Sequence, residues 1–126
     1  MTDLDAGTIS AEALALTKAV ARGAQKLGLK NKTLAAVLGI SEATVSRMNR
    51  GEFFLDDPKS KSFELGVLFV RLFRSLDAIV DGDEAVAKSW LNNRNLALRE
   101  PPINLIQNIS GLVNVIQYLD ARRARI

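Results

Sequence analysis

From Asn31 to Arg50 the chain reads NKTLAAVLGISEATVSRMNR, and the part from Ser41 onward gathers side chains suited to one kind of chemistry. Ser41, Thr44 and Ser46 are hydroxyls that donate and accept; Arg47 and Arg50 are planar guanidinium groups; Glu42 is a carboxylate. No imidazole is at hand to turn a hydroxyl into a nucleophile in the usual way, and no thiol is present, because the sequence holds no Cys and no His. Ser-His-Asp triads, thiolate zinc sites and cysteine nucleophiles are thereby excluded together, and the expected function is non-enzymatic. Hydroxyls and guanidiniums without an imidazole or a thiol beside them read most simply as binding groups. Arg pairs bidentately with guanine, Ala or the Thr methyl touches thymine, and Lys or Arg grips phosphate.

The remaining candidates are acids. Asp56, Asp57, Asp81, Asp83 and Glu84 are hard oxygen ligands of the kind a divalent metal takes. Asp81-Gly82-Asp83-Glu84 lacks the spacing of a calcium loop, however, and fits a turn followed by a capped helix. A hydrolytic enzyme is therefore the weakest reading, and neither metal nor cofactor is expected.

A helix-turn-helix requires two short helices to cross closely, which restricts a few positions, and this segment meets each of them. Ala35 is small where the helices touch, and Gly39, four residues later, allows the left-handed backbone that opens the turn. Leu34, Leu38, Ile40, Val45 and Met48 form the apolar seam, and Ser41 caps the second helix. On this frame Ser41, Glu42, Ala43, Thr44, Ser46, Arg47 and Arg50 project from the core. Thr44, Ser46 and Arg47 are the candidates for base edges or nearby phosphates, while Lys32, Thr33 and Arg50 grip the backbone. Charge agrees with this placement. Lys26 to Arg50 carries five basic side chains against Glu42 alone, whereas Glu52 to Glu84 carries eight acids against four bases. A polyanion favours the first window and is repelled by the second.

Apolar residues recur at helical spacing nearly everywhere and no period-2 run is convincing, so the fold class expected is all-α with roughly seven helices. The first helix is expected over Ala11 to Leu27, with Leu14, Ala15, Val20, Ala24 and Leu27 facing inward. Lys32 to Leu38 and Glu42 to Arg50 follow. A loop from Phe53 to Ser62 suggests a boundary between residues 1–57 and 58–126. Next come a long helix from near Ser62 to Val80, one from Asp83 through Leu91, a short one around Ile103 to Asn108, and a last from Gly111 to Ala124. On the long helix Leu65, Leu68, Phe69, Leu72, Phe73, Leu76, Ile79 and Val80 already make an inward stripe. Val67 and Val70 lie off it, to be covered by a second layer or another subunit. Four charges interrupt this stretch (Glu64, Arg71, Arg74, Asp77), so it is not a membrane span. The acidic opening MTDLDAGTISAE has no signal-peptide core, and a cytoplasmic location is expected.

The segment SEATVSRMNRGE resembles the recognition helix of Xre/Cro-type repressors. That resemblance implies a five-helix DNA-binding domain, working as a homodimer on operator half-sites ~34 Å apart. Residues 78–126 resemble the toxin-binding domain of Xre/MbcA/ParS antitoxins. The matching residues are Gly82-Asp83-Glu84, Ala87, Trp90-Leu91, Asn92, Asn95, Ala97-Leu98, Pro101-Pro102, Leu105-Ile106, Gly111, Val115 and Leu119. Two places depart from the pattern: Asn108 stands where the family has Thr, and Arg99-Glu100 replaces a Gly-rich turn. The resemblance implies an antitoxin that neutralises a NAD-degrading RES-domain toxin, its C-terminal end approaching the toxin's active-site entrance. Carried over to this chain, the candidate toxin contacts are Trp90, Asn92, Asn95, Pro102, Asn108, Leu119, Arg122, Arg123, Arg125 and Ile126. A stand-alone dimeric repressor, or a protein-protein adaptor without DNA binding, are the alternatives.

Overall fold

In the computed structural model, residues 9–124 are described, and among them every regular element is a helix. In chain order these are α1 (Ala11–Lys26), α2 (Asn31–Leu38), α3 (Glu42–Asn49), α4 (Lys61–Ile79), α5 (Glu84–Asn92), α6 (Pro102–Leu105) and α7 (Ile109–Arg123). Short polar side chains set most starts. The oxygens of Ser10, Ser41, Ser60, Asp83 and Asn108 each accept the backbone N–H three residues on, satisfying a donor the helix leaves free. The long helix thus begins one residue before Ser62, because Ser60 caps it. The last helix begins two residues before Gly111, because Asn108 caps it. That cap also ends α6 early: a residue serving as the N-cap of α7 cannot continue the helix before it.

The inward face of α1 differs from expectation. Ala13, Thr17, Val20, Gly23 and Ala24 are buried, whereas Leu14 is 37% exposed and Ala15 faces solvent. A polar residue in the middle of the true stripe conceals it. The Thr17 hydroxyl donates to the Ala13 carbonyl at 2.7 Å and accepts the Leu55 N–H at 2.9 Å, so it is satisfied in the core. This second bond also explains the segment after α3. Leu55 is buried, and the connection expected as a loop is tied down at its centre.

One continuous core runs through both halves, from Val20, Leu38 and Val45 to Leu112, Ile116 and Leu119. The helix α4 makes it continuous, packing on α1 and α2 on one side and most extensively on α7 on the other. Gly66 sits close under the connection before α4: a Cβ there would stand 3.0 Å from Leu55 Cδ1, which would have to give way. Val70 is covered within the subunit, but Val67 is 47% exposed. It lines an open groove of about 360 Å³ between α1 and α4, with Leu16 on its floor and Arg71, Arg74 and Arg123 at its edge. No helix among the described residues is long and apolar enough to cross a membrane.

Candidate functional site

The two short helices α2 and α3 meet through buried Leu34, Ala35, Leu38, Val45 and Met48, with Ile40 partly buried beside them. Gly39 joins them at φ 69°, ψ 33°, the left-handed conformation that only glycine adopts without strain. On α3, Ser41 Oγ accepts the Thr44 N–H at 3.0 Å and lies 2.7 Å from Thr44 Oγ1. Arg47 continues this line. Its Nη2 donates to Thr44 Oγ1 at 3.4 Å, and its guanidinium lies 5.7 Å from the centre of the Phe53 ring. The outer face is therefore preorganised: a guanidinium resting on an aromatic plane, steered by a hydroxyl that the helix cap itself holds.

Glu42, Ala43, Arg47 and Arg50 are exposed as expected, and so is Lys32 on α2; Thr33 and Thr44 are half-buried. Ser46 does not project from the core. It is half-buried and its Oγ accepts from Asn31 Nδ2 at 3.4 Å, while Asn31 Oδ1 accepts from Asn49 Nδ2 at 3.2 Å. The hydrogen bond from Asn31 draws Ser46 toward the start of α2, where it helps tie the two helices together. Arg50 is paired with Glu52 at 3.2 Å on the surface. Such a pair contributes at most about 1 kcal/mol, so a phosphate can displace it. Asn31, Glu52 and Phe53 escape sequence reasoning. The first two act through contacts with no local pattern, and Phe53 reaches Arg47 only because the chain turns at Gly51, whose φ is 77°.

The C-terminal candidates divide differently. Leu119 is 1% exposed and Pro102 is buried at the first position of α6, so both belong to the core and neither reaches a partner surface. Trp90 is half-buried and stacked on Tyr118, ring centres 6.2 Å apart. Asn108 Oδ1 caps α7 through the Gly111 N–H at 2.8 Å, the work expected of a Thr hydroxyl at that place. Asn92 is exposed and its Nδ2 donates to the Lys88 carbonyl; Asn95 is half-buried and its Oδ1 accepts the Ala97 and Leu98 N–H groups. Arg122 and Arg123 are exposed at the end of α7. Arg122 lies over the Tyr118 ring at 5.6 Å, and Arg123 Nη1 donates to Ser75 Oγ at 3.4 Å. Arg125 and Ile126 lie outside the described residues.

Ser75, Asp120 and Arg71 join α4 to α7. Ser75 Oγ donates to Asp120 Oδ1 at 2.7 Å and Arg71 Nη2 to Asp120 Oδ2 at 2.5 Å. The Ser75 hydrogen bond, opposed by partial desolvation and reinforced by Arg71 and Arg123, holds the Asp120 carboxyl below its ordinary value of 3.8. A depressed folded-state pKa means that the ionised form stabilises the fold. The contribution is fully present above the unfolded value and fades as pH falls through the lower folded one. Asp120→Asn is therefore expected to melt below the wild type at pH 7, and the gap should narrow progressively as pH is taken below the ordinary carboxylate value of 3.8. Melting curves across an acid pH series check this; a gap of constant size at every pH would show that the charge is not responsible.

No three His, Cys, Asp or Glu side chains stand together as a metal site among the described residues. Residues 8–71 match the family model described as the antitoxin Xre-like helix-turn-helix domain. Residues 75–125 match that of the antitoxin Xre/MbcA/ParS C-terminal toxin-binding domain. The two ranges meet inside α4. No curated protein matches the chain.

Proposed function

The chain belongs to the Xre-like antitoxin family, and from that premise we propose that it is the antitoxin of a type II toxin-antitoxin pair acting in the cytoplasm. It neutralises a NAD-degrading RES-domain toxin by direct binding and represses its own operon as a homodimer on operator DNA. The observation that carries this reading is the fusion, through α4 and one shared core, of a basic helix-turn-helix with a module matched to toxin binding. A free-standing repressor needs only a dimer contact in its second half, and the family match of that half to a toxin-binding domain favours the antitoxin.

Occlusion of the toxin's active-site entrance falls to the C-terminal end, where Arg122 and Arg123 are exposed. A guanidinium there can pair with a carboxylate of a nucleotide-binding entrance while the helix excludes the nucleotide. Coexpression with the toxin of the adjacent reading frame tests both levels. The wild type should restore growth and cellular NAD; failure to do so removes the antitoxin role. Because Leu119 and Asp120 are structural, the informative truncation removes residues 122–126 only. If toxin inhibition survives that truncation unchanged, the C-terminal end is not the plug.

A further inference from the structure

Leu96 is 92% exposed, far beyond any other large apolar side chain among the described residues. An apolar side chain in water is ordinary on a loose loop, but this one is rigidly presented. The Asn95 N–H donates to the Glu100 carbonyl at 3.2 Å, and the Asn95 carbonyl accepts the Arg99 N–H at 2.6 Å. From inside the turn, Asn95 Oδ1 accepts the N–H groups of Ala97 at 2.9 Å and Leu98 at 3.0 Å. Leu98 is packed against the core and pins the far side. Arg99 closes the turn at φ 70°, a left-handed conformation unfavourable for a residue with a side chain. All of these bonds hold the turn in a shape that leaves Leu96 outermost.

We propose that Leu96 is the apolar anchor of toxin binding, entering an apolar pocket of the toxin rimmed by acidic side chains; this rests on the antitoxin reading above. The residue lies within the range matched to the toxin-binding domain. With its backbone fixed in advance, the turn loses little main-chain freedom on binding, and only the leucine's own rotamers remain to be ordered. Its surroundings define the partner. Arg94 and Arg99 are exposed on either side, with Glu100 the one acid between Asn92 and Pro101, and a polar rim around an apolar centre is the ordinary anatomy of a binding site. A second copy of this chain is a poorer occupant. Two-fold contact at this turn would bring the same guanidiniums together, and like charges oppose such pairing.

The test is calorimetric affinity of the full chain for the purified toxin of the adjacent reading frame. The variants are Leu96→Ala and Leu96→Asp. Leu96→Ala should bind about 10-fold more weakly or worse, and Leu96→Asp about 100-fold. Melting temperature and DNA affinity should not move, since the side chain supports no core packing. Variant affinities within twofold of the wild type overturn the anchor and leave toxin binding standing. Unchanged toxin affinity together with a loss of self-association assigns the turn to a second copy and likewise overturns it. If the wild type binds no toxin at all, both the anchor and the antitoxin reading fall.

Discussion

Gly111→Ala is expected to lose about 3 kcal/mol of stability, a melting temperature roughly 10 °C lower for a chain of this size. Helix propensity alone says the opposite. Gly111 is the third residue of α7, and alanine in a helix is favoured over glycine by up to about 1 kcal/mol. What reverses the sign is close approach. A Cβ built there falls well inside contact distance of the Leu105 carbonyl oxygen and 2.8 Å from its carbon, with Asn108 Oδ1 at 3.2 Å.

A side chain can swing away from such an approach, but a backbone carbonyl cannot. The Leu105 carbonyl also accepts the Asn108 N–H, and the Asn108 side chain caps α7 on the same spot. Room for a methyl group therefore requires parting α6 from α7 and breaking the cap. Ser110→Ala, one residue away and exposed, supplies the comparison: it gives up only a surface hydrogen bond to Asn108 Oδ1 and should cost no more than about 1 kcal/mol. Because α7 shares its core with α4 and through it with the helix-turn-helix, the loss should lower one cooperative transition. A Gly111→Ala chain that melts at or above the wild type would refute the close-approach account.

The same corner shows what can be read from the sequence and what cannot. Local chemistry is legible: Ser41 caps α3 and Gly39 takes a positive φ as expected, and the class and approximate bounds of the helices follow. Tertiary demands are not. That Thr17 is a core residue depends on Leu55, thirty-eight positions away. That Ser46 turns inward depends on Asn31 in another helix, and a helix rule that counts only spacing assigns it to the outer face. Leu119 and Pro102 rest on a resemblance, which marks positions that matter without separating those that pack from those that touch a partner. Leu96 carries no signal of its own, because an exposed leucine looks like any other in a sequence; only the hydrogen-bonded turn beneath it sets it apart.

Arg47→Ala should weaken operator binding by about 1–3 kcal/mol per half-site, roughly 5- to 150-fold, on the reading that α3 lies in the major groove. Two independent half-sites in a homodimer would compound the loss to about 2–6 kcal/mol, between roughly 30-fold and 25,000-fold. The side chain is exposed and its tie to Phe53 is a surface cation–π interaction, worth about 0.5–1 kcal/mol, so the fold should barely notice. Arg47→Lys should fail to restore binding. An ammonium can neutralise a phosphate but cannot reproduce the planar fork that pairs with a guanine edge or lie flat on the Phe53 ring. Salt dependence separates the two roles. If Arg47 reads a base, its removal leaves the slope of affinity against salt nearly unchanged, and a scrambled duplex binds as before. If it grips a phosphate, affinity for both duplexes falls alike and the slope shrinks by about 1. Fluorescence anisotropy on both duplexes across a salt series reads this directly. Equal weakening on the two would move Arg47 to the backbone-gripping set with Lys32 and Arg50, and leave Thr44 as the reader of sequence on α3.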